Sequence, residues 1–169
     1  LLGEGAFGCV YLAWDEELAR EVAIKTPHPQ SLHDPQQIED YLAEARTVAR
    51  LDHPSIIPVY DIGRTEEGCC YVVSKWIRGS DLQLRMSRER IPRAEAVRIV
   101  SAVADALDHA HGHGLVHRDV KPANILLDAR GAPYIGDFGL ALSGARIVGG
   151  RSFAGTPAYM SPEQARGEA

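Results

Sequence analysis

The stretch that decides the fold is His117-Arg118-Asp119-Val120-Lys121-Pro122-Ala123-Asn124, followed by Asp137-Phe138-Gly139. Asp119 is suited to accept a proton from a hydroxyl nucleophile, Lys121 to stabilise a transferring phosphoryl group, and Asn124 to ligate a hard cation. Magnesium prefers one or two carboxylate or amide oxygens together with substrate phosphates, and Asp137 adds a second such group. Each of these residue types is also common in ordinary turns. The rest of the chain decides whether these residues form a phosphoryl-transfer site or ordinary turns.

A glycine-rich segment, Gly3-x-Gly5-x-x-Gly8-x-Val10, lies near the start of the chain. Glycines let a backbone approach phosphates closely and present its N–H groups to them. A dinucleotide-binding fold would require a strand before the glycines and a helix opening at them. The residues that follow, Cys9-Val10-Tyr11-Leu12, have a strand pattern instead. The segment therefore predicts a glycine-rich hairpin folded over a nucleotide.

Lys25 and Glu44 form a second candidate pair. Lys25 ends the apolar strand Val22-Ala23-Ile24, where a solvent-facing lysine is the common alternative. Glu44 shares a helix face with Tyr41 and Val48, and this face should turn toward the sheet. Because an unpaired buried carboxylate is costly, we predict a Lys25–Glu44 ion pair that holds the ammonium toward a phosphate.

The periodicities predict an α+β protein in two lobes, with a small lobe over residues 1–77 and a larger, helix-led lobe over 78–169. The divide is expected at Ile77-Arg78-Gly79. Asp34 at an N-cap and Pro35 at the first helical position predict a helix to about Leu51. The other predicted elements are a helix over 93–111 and strands up to residue 12 and over 21–25, 56–60, 69–74, 115–116, 125–127 and 134–135.

Composition excludes several function classes. The 169 residues carry 18 basic and 23 acidic side chains, net charge −5, without the basic excess of a nucleic-acid binder. No apolar run is long enough to span a membrane, and no targeting segment is visible at the N-terminus. Three cysteines, two of them adjacent, make a poor disulfide framework and predict reduced thiols in a cytoplasmic compartment. If the full-length protein is anchored in a membrane, this domain is expected on the cytoplasmic side.

Occurring together in this order, the motifs resemble the catalytic domain of the eukaryotic-type serine/threonine protein kinases, closest to the bacterial members. The resemblance covers essentially the whole chain and extends to Gly155-Thr156-Pro157 through Ser161-Pro162-Glu163. It implies a two-lobed fold, with a small antiparallel β lobe that carries one key helix and a mainly helical large lobe.

The same resemblance implies the reaction and its participants. The γ-phosphoryl group of ATP would pass to a serine or threonine hydroxyl of a protein, with Asp119 as base and with Lys121 and Asn124 completing the catalytic set. Asn124 and Asp137 would hold magnesium, or manganese in its place. The residues implied to bind ATP are Gly3, Gly5, Gly8, Val10, Ala23, Lys25, Glu44, Ser74 (the gatekeeper), Lys75, Trp76 and Ile77 (the hinge), Asp81 and Leu126.

Regulatory and structural roles are implied as well. Arg118 resembles the arginine that pairs with a phosphorylated activation segment, and Ser152 ranks first as the phosphorylated residue. Thr156 is expected to serve the catalytic loop, and autophosphorylation is expected in trans. Leu142 and Asp40 occupy positions where many members have a further basic residue, so a modest activation is expected. The resemblance also implies that His117 packs against Phe138 and that Glu163 pairs with an arginine in later helices.

Two other functions compete with an active kinase. A nucleotide-binding pseudokinase or scaffold is disfavoured because Lys25, Asp119, Asn124 and Asp137 are all present. A small-molecule phosphotransferase is disfavoured by the peptide-docking segment over 155–163. The glycine motif begins at Gly3 and the chain ends six residues after Glu163. We therefore expect an incomplete large lobe, and an inactive fragment of a kinase is a further alternative. The incomplete lobe should expose apolar surface on the 93–111 helix and make the isolated chain poorly soluble.

Overall fold

The computed structural model describes residues 1–5, 8–28, 34–138, 146–148, 151–153 and 155–166, with the backbone alone for 146–148 and 151–153. The chain divides into two compact units. The first contains Leu1–Arg50 and Pro58–Trp76, and the second contains Leu51–Ile57 and the described residues from Ile77 onward. Each unit has its own sheet and its own buried side chains.

The first unit is built on a five-stranded antiparallel sheet in the order β1-β2-β3-β5-β4. Its strands are β1 (Gly3–Gly5), β2 (Gly8–Asp15), β3 (Arg20–Pro27), β4 (Val59–Arg64) and β5 (Cys70–Lys75). Val22 and Val72, in the interior strands β3 and β5, are buried. The β1–β2 hairpin contains the predicted glycine motif, and the glycine stretch lies at the edge of the sheet.

One helix, α1 (Pro35–Val48), completes the first unit. The Asp34 side chain caps it by accepting a hydrogen bond from Gln36 N, at 2.9 Å, and Pro35 occupies the first turn, as the sequence predicts. Its buried face, Tyr41, Leu42, Ala45 and Val48, packs against β4 and β5. This packing fixes the face on which Glu44 lies half-buried.

The described residues of the second unit form a three-stranded antiparallel sheet in the order β6-β7-β8 and three helices. The long helix α3 buries Ile99, Val103, Ala106 and Ala110 along one stripe and contacts β8. A separate backbone hairpin joins β9 to β10 in antiparallel register. The elements are β6 (Gly79–Asp81), α2 (Leu82–Arg88), α3 (Arg93–Gly112), β7 (Ile125–Asp128), β8 (Pro133–Ile135), β9 (Arg146–Val148), β10 (Arg151–Phe153) and α4 (Pro162–Arg166), with single 3-10 turns at Pro122–Asn124 and Pro157–Tyr159.

Residues 51–57 connect α1 to β4 yet belong to the second unit. Ile57 N donates to Ile135 O at 3.0 Å, and Ile135 N donates to Ser55 O at 2.8 Å. Ile56 is 2% exposed and Ile135 is fully buried, so this segment forms part of the second unit's core. The predicted strand over 56–60 was therefore wrong at its start, because the backbone before Pro58 bonds to β8 and β4 begins only at Val59.

Two further predictions of local structure need correction. Residues 115–116 are not a strand, because Leu115 N donates to Ala110 O and completes the C-terminal cap of α3, with Gly114 at φ +73°. The sequence reading also missed the short elements β6, α2, β9, β10 and α4, none of which spans more than seven residues. Elements this short carry little periodicity, so their tertiary contacts decide them.

The side of α3 away from its buried stripe carries exposed apolar residues. Val97 is 61% exposed and Val100 is 66% exposed. Apolar surface on this helix was expected from the sequence, and it is present on these two valines. Among the described residues, no helix combines the length and the apolar character that a membrane crossing would require.

Candidate active site

His117 fixes the backbone on which Asp119 stands. The imidazole Nε2 donates to Gly136 O at 2.9 Å, and Nδ1 accepts from Asp119 N at 3.2 Å. The ring lies against Phe138, with centroids 4.8 Å apart, and both residues are about 1% exposed. Burial lowers the pKa of His117 against the opposing effect of its hydrogen bonds. With one ring nitrogen donating and the other accepting, the neutral imidazole is fully hydrogen-bonded. It links the backbone at Asp119 to the backbone at Gly136.

The Asp119 carboxylate is the centre of a dense polar network within the second unit. Oδ1 accepts from the Thr156 backbone N at 2.8 Å and from its hydroxyl at 2.7 Å. Oδ2 lies 2.7 Å from Lys121 Nζ and 3.2 Å from Asn124 Nδ2. Lys121 Nζ also donates to the Thr156 hydroxyl at 2.8 Å. The predicted residues Lys121, Asn124 and Thr156 thus all contact Asp119.

The network determines the charge of Asp119. The residue is 7% exposed, and burial opposes its ionisation. Hydrogen bonds from Lys121 and Thr156, together with the positive charge of Lys121, outweigh that burial and lower the pKa of Asp119 below its ordinary value. The carboxylate is therefore ionised at neutral pH, in the state in which it can accept a proton.

Asn124 and Asp137, in the same unit as this carboxylate, each carry side-chain oxygen atoms. Asn124, on the 3-10 turn, uses Nδ2 for hydrogen bonds to Asp119 O at 2.8 Å and to Asp119 Oδ2. These bonds direct its amide nitrogen to Asp119 and leave Oδ1 as the donor for a cation. Asp137 is exposed, adopts φ +59°, and follows Gly136, whose N donates to Asn124 O at 3.1 Å. An amide oxygen and an exposed carboxylate are ligands that fit magnesium.

The backbone around Arg118 is held in a strained conformation, with φ +64°. Its carbonyl accepts from Gln164 Nε2 at 2.7 Å. Gly155 has φ +117°, and a Cβ there would stand 2.8 Å from Arg118 O. Only glycine fits this close approach. Gly155 therefore lets the segment carrying Thr156 approach the backbone at Arg118.

Gln164 is a site residue that sequence reasoning missed. Its Oε1 accepts from Ser161 N at 3.1 Å, and its own N donates to Ser161 Oγ at 3.3 Å. This reciprocal pair is a capping box at the start of α4. The Ser-x-x-Gln spacing over 161–164 was the available signal. It fixes the side chain whose amide then bonds to Arg118 O.

In the first unit, strand register places several predicted ATP-binding residues on one face of the sheet. Val10 pairs with Lys25 across β2 and β3, and Ala23 pairs with Ser74 across β3 and β5. Since side chains alternate along a strand, Lys25 and Ala23 share a face. Gly3 pairs with Val10 across β1 and β2. Lys25 is half-buried in β3, and its pairing with Glu44 stays a prediction.

The other predicted site residues are spread over both units. Lys75 ends β5 in the first unit, beside Trp76, and Ile77 is buried in the second. Asp81 pairs with Leu126 across β6 and β7, and its Oδ1 caps α2 by accepting from Leu84 N at 2.7 Å. Gly5 and Gly8 face each other in the β1–β2 register.

The structure describes only some of the predicted regulatory and structural residues. Ser152 belongs to β10, of which the structure describes the backbone, and its side chain lies outside the described part of the chain. Gly139 and Leu142 also lie outside it. Glu163 opens α4 and is 60% exposed, 4.0 Å from Arg166. Hydrogen bonds from its own backbone N–H and from Ser161 lower the pKa of Glu163.

Comparison with known proteins agrees with this geometry. The family model described as the protein kinase domain matches residues 1–169. The chain is 38% identical to the serine/threonine-protein kinase pkn3 of Myxococcus xanthus, 39% identical to PrkC of Bacillus subtilis, and 44% identical to the DNA damage-responsive serine/threonine-protein kinase RqkA of Deinococcus radiodurans. These alignments cover 99% of this chain and 32%, 26% and 26% of the three relatives. The chain thus spans a third or less of their length.

Solved structures are similar over the same region. A crystal structure of the Mycobacterium tuberculosis PknI kinase domain aligns with a TM-score of 0.79 at 32% identity, over 99% of this chain and 62% of that one. A second structure of that domain aligns with a TM-score of 0.73 at 36% identity, over 83% of this chain and 57% of that one. The fold is protein-kinase-like, as predicted, and the chain belongs to the protein kinase domain family.

Proposed function

We propose that the chain is the catalytic part of an ATP-dependent protein serine/threonine kinase that acts in the cytoplasm. The observation that carries the proposal is the buried, ionised Asp119, bonded to Lys121, Asn124 and Thr156. The relatives that bear the name serine/threonine-protein kinase support the same assignment. The acceptor would be a protein hydroxyl, including one on a second copy of the chain.

Asp119 would act as the base in this reaction. The substrate hydroxyl oxygen attacks the γ-phosphorus of ATP, its proton passes to the Asp119 carboxylate, and the bond from the γ-phosphorus to the β–γ bridging oxygen breaks to release ADP. Each carboxylate oxygen already accepts two hydrogen bonds in this network, so an incoming hydroxyl would take the place of one donor, of which Asn124 Nδ2, at 3.2 Å, is the most distant. Lys121 keeps the base ionised and places positive charge beside the developing phosphoryl charge.

Asn124 and Asp137 would hold the magnesium that accompanies ATP, because both supply hard oxygen donors. Magnesium, with manganese as a substitute, would neutralise charge on the phosphates. In the first unit, the face with Val10, Ala23 and Lys25 would receive the nucleotide. Glu44 would hold the Lys25 ammonium toward its phosphates. Arg118 and Ser152 remain the proposed partners in a phosphorylation switch.

The deciding experiment measures transfer from γ-labelled ATP to a generic protein acceptor, followed by identification of the labelled amino acid. We expect label on serine or threonine, lost when a chelator removes magnesium. Binding of ATP without any transfer would overturn the proposal in favour of a pseudokinase. Transfer to a small molecule without transfer to protein would overturn it in favour of a small-molecule phosphotransferase.

Lys121→Met should change the pH dependence of this transfer. Removing the ammonium takes away the hydrogen bond and the charge that lower the pKa of Asp119. The base then loses its proton only at higher pH, so the acid limb of the rate profile should move to higher pH. The measurement is the rate against pH from about 3 upward for both proteins, because the lowered pKa of Asp119 places the acid limb of the unaltered chain below the ordinary Asp pKa of about 3.9. Arg130→Met, which removes an exposed cation of the same unit, should leave the limb in place; an equal shift in both variants would contradict the assignment.

A further inference from the structure

Three side chains with metal-ligating atoms converge on the glycine-rich hairpin of the first unit. Glu4 lies opposite Cys9 across β1 and β2, and Cys9 lies opposite Thr26 across β2 and β3. His28 comes two residues after Thr26 and so continues on the same face. One ligand atom from each of Glu4, Cys9 and His28 lies within 4.8 Å of those of the other two. With bonds of about 2.0–2.3 Å, one ion would bind all three after a small side-chain adjustment, and Glu4 is exposed.

One ring nitrogen of His28 is hydrogen-bonded to the backbone. His28 Nε2 lies 2.8 Å from Gly5 O. A carbonyl oxygen can only accept, so Nε2 carries the proton and Nδ1 retains its lone pair. Metal-bound histidines almost always donate their other ring N–H to a carbonyl or carboxylate, which fixes the tautomer and the ring orientation. The hydrogen bond to Gly5 O is therefore compatible with Nδ1 as the ligand atom of His28.

The cluster is separate from the proposed ATP-binding face. Cys9 and Lys25 belong to opposite faces, because Lys25 pairs with Val10, the neighbour of Cys9. Tyr11, two residues after Cys9, shares the cluster's face. Cys9 and His28 are half-buried and Glu4 is exposed, so an ion has access from solvent.

We propose that Glu4, Cys9 and His28 form a zinc site on the face of the glycine-rich hairpin opposite Lys25. Thiolate, imidazole and carboxylate are the ligand types of zinc, and three protein ligands leave a fourth tetrahedral position to water. Softer or harder ions match this mixed set less well. As the zinc–sulfur bond forms, the Cys9 thiol releases its proton to solvent. The ion would tie β1 and β2 to the residue that follows β3.

The test is a titration of the reduced, metal-free chain with Co²⁺ alone, followed by Zn²⁺. We expect one Co²⁺ per chain, with a thiolate-to-metal charge-transfer absorption that Zn²⁺ displaces. Zn²⁺ should also raise the thermal midpoint, because it binds only the folded arrangement of the three residues. Both readouts are independent of kinase activity, so their failure leaves the proposed function untouched.

Matched variants decide whether these three residues are the ligands. Cys9→Ser should abolish the charge-transfer absorption, whereas Cys69→Ser, at an exposed cysteine of the same unit, should leave it unchanged. His28→Gln should weaken Zn²⁺ binding at least about tenfold, and His111→Gln, at an exposed histidine, should not. Charge transfer that persists in Cys9→Ser, or Zn²⁺ affinity that is unchanged in His28→Gln, would overturn the proposal. Far-ultraviolet circular dichroism confirms that each variant is folded before it is scored.

Discussion

Asp119→Asn should lower the rate of phosphoryl transfer about 10²- to 10⁴-fold, the contribution typical of a general base. The amide has nearly the shape of the carboxylate but cannot accept the hydroxyl proton. Its NH₂ group would also face a donor, since Thr156 donates to one oxygen of Asp119 and Lys121 to the other. The affinity for ATP should stay essentially unchanged, because none of these contacts belongs to the proposed nucleotide-binding residues of the first unit.

The control for this variant is Asp108→Asn, which makes the same chemical change at an exposed position of α3. Transfer from γ-labelled ATP and equilibrium binding of ATP are measured for all three proteins. Transfer that is equal in Asp119→Asn and in the unaltered chain would reject Asp119 as the base. Equal losses in both variants would show that the rate responds to net charge, and would reject it as well.

Phe138→Ala should destabilise the second unit by about 3–5 kcal/mol, the cost of deleting a fully buried aromatic ring. The ring is 1% exposed and packs against His117. Its removal leaves a cavity beside the imidazole that holds the backbone of Asp119. Because a whole domain has about 5–15 kcal/mol of stability, this loss would leave much of the second unit unfolded under mild denaturant.

Hydrogen exchange of the β7 and β8 amides reports the stability of the second unit directly. Phe138→Leu, which refills part of the cavity, should recover part of the loss. Tyr159→Ala provides the contrast, since Tyr159 is 52% exposed and its truncation should change stability by no more than about 0.5 kcal/mol. Exchange rates that rise equally in Phe138→Ala and Tyr159→Ala would contradict the assigned core role.

Local chemistry made much of the fold predictable from sequence. Asp34 and Pro35 mark the start of α1, and the apolar spacing of α3 identifies its buried stripe, because caps and periodicity act over a few residues. The candidate site was predictable for a different reason. Asp119, Lys121, Asn124 and Asp137 lie close together in sequence, in an order that resembles a known family, and the family match confirms that resemblance.

The parts that escaped prediction depend on contacts between distant residues. Ser55 and Ile57 form backbone hydrogen bonds with Ile135, and no local sequence pattern indicates that partner. Gln164 reaches Arg118 O only because Gly155 permits the approach. Glu4, Cys9 and His28 form no recognisable spacing, and strand register alone brings them together. Register is set by pairing across the whole sheet, which a linear reading does not contain.

Residues 51–57 belong to the second unit although they lie in sequence between two segments of the first. This arrangement affects the order in which contacts form during synthesis. The described residues of the first unit end at Trp76, so its sheet and α1 are complete early as the chain emerges from the ribosome. Ser55 and Ile57 must wait for Ile135, about eighty residues later, and closing a loop of that length carries an entropic cost that grows only slowly with length. Until then Ile56, an almost fully buried side chain in the finished protein, is exposed to solvent and to chaperones.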